Sequence, residues 1–304
     1  MDTAQQVERM LDRLHAVPQE DGSWPESRRL FFEAVGKQFP EVSGVVIEEI
    51  AAGGRPAEVV APESRTPRGT ILYLHGGAFI IGSPRIYRNQ SSRIALSSGC
   101  RVVTLDYRLA PEHPFPAALD DTIASFRGLV EQGESPDHIV MAGDSAGANL
   151  ALGAMVQLRD AGEPLPAAAV CISPWTDLSC RGETMATNAN SRHFAQRESL
   201  LHDAGHYLAG EAPEHPLASP IHADLSGLPP LLIQVGSEET LVDDARNLAR
   251  RAEQSGVDVT FEIWSGMVHE WHLLAALLPE DEPLEDAEAA IDQIAGFVYS
   301  HLPD

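Results

Sequence analysis

The chain has 304 residues, 43% of them hydrophobic, enough to bury one large core without requiring a second domain. Its net charge of −24 and its lack of any Lys/Arg cluster argue against a nucleic-acid partner, because binding a phosphate backbone depends on grouped cations. Three widely spaced cysteines, Cys100, Cys171 and Cys180, contain no Cys-x-x-Cys pair. Neither a metal site nor a disulfide framework is indicated, and a reducing compartment fits best.

Met1 to Gln6 lack a basic region followed by an apolar core, and no segment approaches the ~20 apolar residues of a membrane span. The expectation is a soluble, cytoplasmic protein with no membrane partner. Val7, Met10, Leu11 and Leu14 fall at helical spacing. Leu30, Phe31, Phe32, Val35 and Phe39 form a second apolar face, preceded by Ser23-x-x-Glu26, a capping-box signature. That second helix is more aromatic than a surface helix needs, which suits either a core face or a cover over a substrate pocket. Val45-Val46-Ile47 and Glu58-Val59-Val60, joined across Gly53-Gly54, predict a hairpin at the antiparallel edge of a sheet.

From Thr70 onward strands alternate with helices. The apolar runs Ile71–Leu74, Val102–Leu105, Ile139–Met141, Ala168–Ile172, Leu231–Val235 and Val259–Ile263 are nearly continuous. Such runs belong to strands covered on both faces, hence to a largely parallel sheet with helices on each side. The stretch from Leu178 to about Ile221 breaks the rhythm and carries no strong sheet signal. An insertion of that length in a compact domain is usually a lid or a binding element.

The stretch from His138 to Leu150 reads as a short strand, a sharp turn at Ser145 and a small-residue helix through Leu152, Met155 and Leu158. Gly143 and Gly147 flank Ser145 in a Gly-x-Ser-x-Gly pattern, which lets strand and helix pack closely while the serine stands exposed at the turn. The N–H of Ala146, at the helix start, is free to donate to an oxyanion. His75-Gly76-Gly77-Ala78-Phe79 directly follows an earlier strand. Two of the N–H groups of Gly76, Gly77 and Ala78 are candidates to join that of Ala146.

A serine nucleophile needs a base, and the base an orienting acid. Among 12 histidines, His269 stands out in Ser265-Gly266-Met267-Val268-His269, after the last predicted strand, where a loop returns it to the same sheet edge. His272, on a helical continuation, would point elsewhere. The acid should follow the preceding strand, where Glu238, Glu239, Asp243 and Asp244 compete. Most of these suit the first turn of a helix.

His-Gly-Gly-Ala-Phe, Asp106-Tyr107-Arg108-Leu109-Ala110-Pro111-Glu112-His113-Pro114-Phe115-Pro116, Gly-Asp-Ser-Ala-Gly and Gly-Met-Val-His, in this order, resemble the hormone-sensitive-lipase-like (bacterial family IV) esterases of the α/β-hydrolase superfamily. The resemblance runs from about Ile71 to His272. It implies an α/β-hydrolase fold with a mostly parallel central sheet flanked by helices, one domain over 1–304, and a helical cap of approximately 1–42 and 178–221 over an acyl pocket. The remaining segments, approximately 43–177 and 222–304, form the catalytic core. It implies Ser145 as nucleophile, His269 as base and Glu239 as acid, the last at the family's Asp-x-Leu position. Two departures stand out. Ala78 replaces the usual third glycine and serves only if its backbone needs no positive φ, and Glu239 replaces the usual Asp, leaving Glu238 and Asp243 open. The expected reaction is hydrolysis of short- to medium-chain acyl esters through an acyl-enzyme, with no cofactor and no metal. A lactonase, amidase or acyltransferase with the same triad, or a non-catalytic small-molecule receptor on this fold, are the alternatives. A small acyl-ester substrate is the expected partner, and because relatives often dimerise, a homodimer is compatible with the family.

Overall fold

The computed structural model describes residues 2–18, 22–64, 66–190 and 192–303. The chain opens with helix α1 (Thr3–Ala16), started by a capping box in which Asp2 Oδ1 accepts from Gln5 N and Gln5 Oε1 accepts from Asp2 N. Its four apolar positions, Val7, Met10, Leu11 and Leu14, are all buried, as their spacing predicts. Helix α2 (Glu26–Gly36) follows, but the expected Ser23–Glu26 capping box does not form. Pro25 occupies the N-cap, so Glu26 is the first helical residue rather than the third, and Ser23 contributes only its carbonyl, which accepts from Ser27 N. Val35 alone among the α2 residues is fully buried; Phe31 and Phe32 are half-buried and face a cavity.

The predicted hairpin is present as β1 (Val45–Ala52) and β2 (Arg55–Pro62), closed by the two residues Gly53-Gly54. The six predicted core strands follow: β3 (Thr70–Leu74), β4 (Arg101–Leu105), β5 (Ile139–Asp144), β6 (Ala168–Ile172), β7 (Leu231–Gly236) and β8 (Val259–Trp264). They form one eight-stranded sheet in the order β1-β2-β4-β3-β5-β6-β7-β8. The hairpin pairs antiparallel at one edge and every pairing from β4 to β8 is parallel. Strands β3, β5, β6 and β7 are buried along their full length, which is why they read as unbroken apolar runs.

Among the described residues the remaining helices are α3 (Arg88–Ser98), α4 (Ala117–Glu131), α5 (Ala146–Asp160), α6 (Thr184–Thr187), α7 (Arg197–Leu208), α8 (Val242–Gln254), α9 (Trp271–Leu274) and α10 (Glu285–His301). Side chains of α3 and α10 close one apolar core against the sheet, and those of α4, α5 and α8 close a second. No helix among the described residues is long and apolar enough to cross a membrane. From β3 the chain crosses outward to β4 and returns to β5 on the other side of β3. Such a reversal opens a crevice at the carboxyl ends of the two strands, the usual ligand position in an open α/β sheet. Both glycine-rich motifs leave the sheet there.

Among its described residues the insertion between β6 and β7 carries α6 and α7 and no strand. Helix α2 docks on α7: Arg28 donates to both oxygens of buried Asp203 at 2.6 Å, and Trp24 packs between His202 and His206. Arg29 ties α2 to the core, donating to the carbonyls of Ile80 and Ala110 and pairing with Glu112, whose carboxyl it holds down at about 2.

Candidate active site

Ser145 stands between the last residue of β5 and the first of α5 with φ +51° and ψ −116°. A side chain rarely adopts this conformation, at a cost of order 1–3 kcal/mol. The surroundings impose it. A Cβ on Gly147 would lie 1.8 Å from the Leu74 carbonyl oxygen, and one on Gly143 2.5 Å from the Gly147 carbonyl carbon, so only glycine lets α5 sit this close to the sheet. Ser145 N donates to Ile172 O and its carbonyl accepts from Trp175 N, fixing the turn from the neighbouring strand. The serine lines a cavity of about 670 Å³ together with Gly77, Ala78 and His269, under a roof that includes Phe31, Phe32 and Phe194.

His269 lies in the loop after β8, and its Nδ1 is 2.7 Å from Glu239 Oε2. The other carboxylate oxygen, Oε1, accepts from Gly236 N at 2.6 Å and from Ser173 Oγ at 2.7 Å. Glu239 is 1% exposed, and its three donors leave the carboxylate one orientation. The competing acids are engaged elsewhere. Glu238 is exposed and accepts from Ser237 Oγ. Asp243 and Asp244 sit in the first turn of α8, as the sequence suggests; Asp243 accepts from Thr184 N, and Asp244 from Thr176 N and Asp177 N. His272 is buried with its Nε2 on Gln234 Oε1, and burial drives its pKa well below the ordinary value. The geometry thus brings Glu239 alone of the four carboxylates to His269.

The loop after β3 changes one expectation. Gly76 N donates to the Tyr87 hydroxyl at 3.0 Å, which removes it from the oxyanion candidates. The N–H groups of Gly77, Ala78 and Ala146 carry no such bond among the described residues. Ala78 has φ +55°, so the expectation that its backbone needs no positive φ is corrected: the loop demands the left-handed conformation that glycine would supply freely, and the Ala78 N–H stays without a partner among the described residues all the same. Alanine bears that conformation at about 1–2 kcal/mol. His75 is a prop for this loop: it is fully buried, stacks on Tyr107 at 4.2 Å and has its pKa lowered by burial.

Three groups escape the sequence reading. Ser173, at φ +46°, donates to the Glu239 carboxylate from the end of β6. Asp144, inside the serine motif, accepts from the hydroxyls of Tyr73 and Tyr87 at 2.8 Å each, and burial with that charge holds both phenols well above their ordinary range. Glu270 is buried beside His269, also with a positive φ. The Gly-x-Ser-x-Gly pattern flags Asp144 only as filler, and nothing around Tyr87 or Ser173 in the sequence marks them.

A serine at a strained strand-to-helix turn, a histidine held by a buried carboxylate and a row of unpaired N–H groups at the crevice of a parallel sheet define the α/β-hydrolase arrangement. The sequence profile of the α/β hydrolase fold family matches residues 71–273, and the chain belongs to that family. It is 49% identical over 255 residues to an acetyl-hydrolase of Streptomyces hygroscopicus, covering 84% of this chain and 85% of that one. It is 35% identical over 296 residues to an esterase of Acinetobacter venetianus, covering 97% and 95%. The crystal structure of an esterase of the bacterial hormone-sensitive lipase family superposes over 100% of both chains with a TM-score of 0.92 at 41% identity. Within the α/β hydrolases the chain therefore falls among the hormone-sensitive-lipase-like esterases and is a carboxylic ester hydrolase.

Proposed function

We propose that the protein is a serine carboxylesterase acting on short- to medium-chain acyl esters through Ser145, His269 and Glu239. The observation that carries this is the hydrogen bond from His269 Nδ1 to a fully engaged Glu239 carboxylate, with His269 and Ser145 lining one cavity. With Glu239 holding the proton on Nδ1, Nε2 is left as the base. Ser145 attacks the ester carbonyl as His269 takes its proton, and the tetrahedral oxyanion is stabilised by the N–H groups of Gly77, Ala78 and Ala146. The imidazolium then protonates the leaving alcohol, and water hydrolyses the acyl-enzyme by the same path. The residues before β1 and the insertion holding α7 act as a cap, since both supply the aromatic roof of the cavity. The likeness to an acetyl-hydrolase supports the short end of the acyl range.

The test is a p-nitrophenyl ester series of graded acyl length, with a lactone and an amide alongside, for the parent and Ser145→Ala. Turnover highest on short or medium esters and abolished in the variant supports the reading; turnover of the amide or lactone alone would reassign the substrate class.

A further inference from the structure

Beside the cavity lie two carboxyl groups for which the hydrolytic cycle has no use. Asp144 closes β5, and each of its oxygens accepts a tyrosine hydroxyl, Oδ1 from Tyr73 and Oδ2 from Tyr87. Glu270 follows His269 with φ +57° and ψ +35° and is 6% exposed. The two meet over the Cα of Gly76: a Cβ there would lie 2.2 Å from Asp144 Oδ2 and 2.4 Å from Glu270 Oε1. Glycine at this position is what admits both carboxyls. Glu270 Oε1 is also 3.6 Å from His269 Nε2, the ring nitrogen left free by Glu239.

Two carboxylates in a dry site do not both ionise; one keeps a proton. Asp144 accepts two hydroxyl hydrogen bonds, the pattern that favours the charged form, whereas among the described residues no N–H or O–H donates to the Glu270 carboxyl. The proton therefore belongs to Glu270. We propose that Glu270 is a positioning residue that works as an uncharged carboxylic acid, donating to Asp144 and so tying the His269 loop to the oxyanion loop. The tie runs from Glu270 to Asp144, from Asp144 to the Tyr87 hydroxyl, and from that hydroxyl to Gly76 N. The inference rests on the triad reading, which supplies His269 as base.

The charged and titratable groups that face Glu270 are His269 on its own loop, Asp144 on β5, Glu239 after β7, Tyr73 on β3, Tyr87 before α3 and Tyr107 after β4. Of these, the Asp144 and Glu239 charges oppose a further negative charge, while the three phenols are neutral. Burial first, and then the Asp144 charge, hold the Glu270 carboxyl well above the ordinary carboxylate range. An ionised Glu270 would set a negative charge beside His269 Nε2, holding the imidazolium's Nε2 proton back from the leaving alcohol and opposing the oxyanion. Glu270's contribution to turnover is therefore a property of its neutral form, present below the Glu270 ionisation and lost as pH rises through it, while the acid side of the profile is set by the need for an unprotonated His269 base.

The experiment compares the parent with Glu270→Gln, which keeps the shape and a donor, and Glu270→Ala, which keeps neither. In the infrared difference between parent and Glu270→Gln at neutral pH, the parent should show the carbonyl band of a protonated carboxylic acid. With p-nitrophenyl acetate, Glu270→Gln should keep kcat within about threefold at neutral pH and hold it further into the alkaline range than the parent, while Glu270→Ala loses about tenfold or more in kcat with KM little changed. A parent spectrum with Glu270 as carboxylate at neutral pH overturns the proposal, as does a Glu270→Gln loss equal to that of Glu270→Ala. If Glu270→Ala does not fold, the infrared and pH comparisons with Glu270→Gln decide alone. Failure of the triad reading shows separately, as ester turnover by Ser145→Ala, which leaves the carboxylic acid band unchanged.

Discussion

The floor and the roof of the cavity are held by different kinds of interaction. On the floor, Ser145, Glu239 and Ser173 are buried at or just past the ends of central strands and fixed by backbone and side-chain hydrogen bonds of 2.6–3.2 Å. In the roof, α2 has one fully buried residue, and its ties to the rest of the molecule include two arginine side chains, the Glu33 carboxylate on Ser83 and the ring contact of Phe32 with Phe194. The floor resembles a domain core, where a displacement of one atom is felt by its neighbours; the roof resembles a transient interface, where contacts can exchange. Atoms that must meet a reacting carbonyl within a few tenths of an ångström belong on the first, and surfaces that accommodate acyl chains of different length belong on the second.

That contrast is tested most severely at the floor. Ser145→Ala and His269→Ala should fold as the parent does and lose at least about a thousandfold in kcat, measured with p-nitrophenyl acetate on protein free of host esterases. Retention of a tenth of the parent rate by either would take these residues out of the chemistry. Next in size is the acid. Glu239→Gln removes the charge under His269 and should lower kcat by orders of magnitude, while Glu238→Gln and Asp243→Asn, whose carboxylates bond to other groups, should stay within a few-fold of the parent. A damaged Asp243→Asn beside an active Glu239→Gln would move the acid to Asp243.

Changes in the roof should be smaller and selective. Phe31→Ala and Phe32→Ala enlarge the cavity wall, so kcat/KM for hexanoyl and octanoyl esters should change several-fold relative to acetyl, with thermal stability shifted less than by a core truncation. An unaltered chain-length profile would make α2 ordinary cover. The smallest effect on turnover is expected at Asp244, whose change bears on stability instead. Burial raises its pKa to about 7, against the lowering influence of the Thr176 and Asp177 N–H groups. An acid with a raised folded-state pKa lends stability that is complete below its unfolded value and lost as pH climbs through the folded one. Asp244→Asn, unable to ionise, should therefore gain on the parent between pH 5 and 8, by about 2–4 kcal/mol at most. Equal melting-temperature differences at the two pH values would show that Asp244 bears no such burden.

Strands were legible in the sequence because burial on both faces leaves no polar position to break the run, as in Ile71–Leu74 and Leu231–Val235. The serine turn was legible because its close packing admits only glycine at 143 and 147. What stayed hidden depends on contacts between segments distant in sequence or on the angle at which a loop leaves the sheet. Pro25 at the N-cap displaced the predicted capping box. Tyr87 captured the Gly76 N–H across eleven residues, and Ser173 reached Glu239 across sixty-six. The role of α2 was undecidable from composition, since phenylalanine suits a core and a pocket wall alike; its half-burial against the cavity favours the wall. Among four neighbouring acids, the family motif pointed to Glu239, but the Gly236 turn is what aims it.

Five residues around the reacting groups, Ala78, Phe79, Ser145, Ser173 and Glu270, hold positive φ angles without being glycine. Each is a local misfit that the surrounding sheet and helices enforce. Selection for endurance alone would favour relaxing these positions, and selection for turnover would resist it, so the two pressures pull hardest on the same few codons. Gains in heat tolerance are then to be sought in elements such as α2, where no residue holds a positive φ, and a lineage drifting toward greater stability would register the conflict first as a slower enzyme with an unchanged fold.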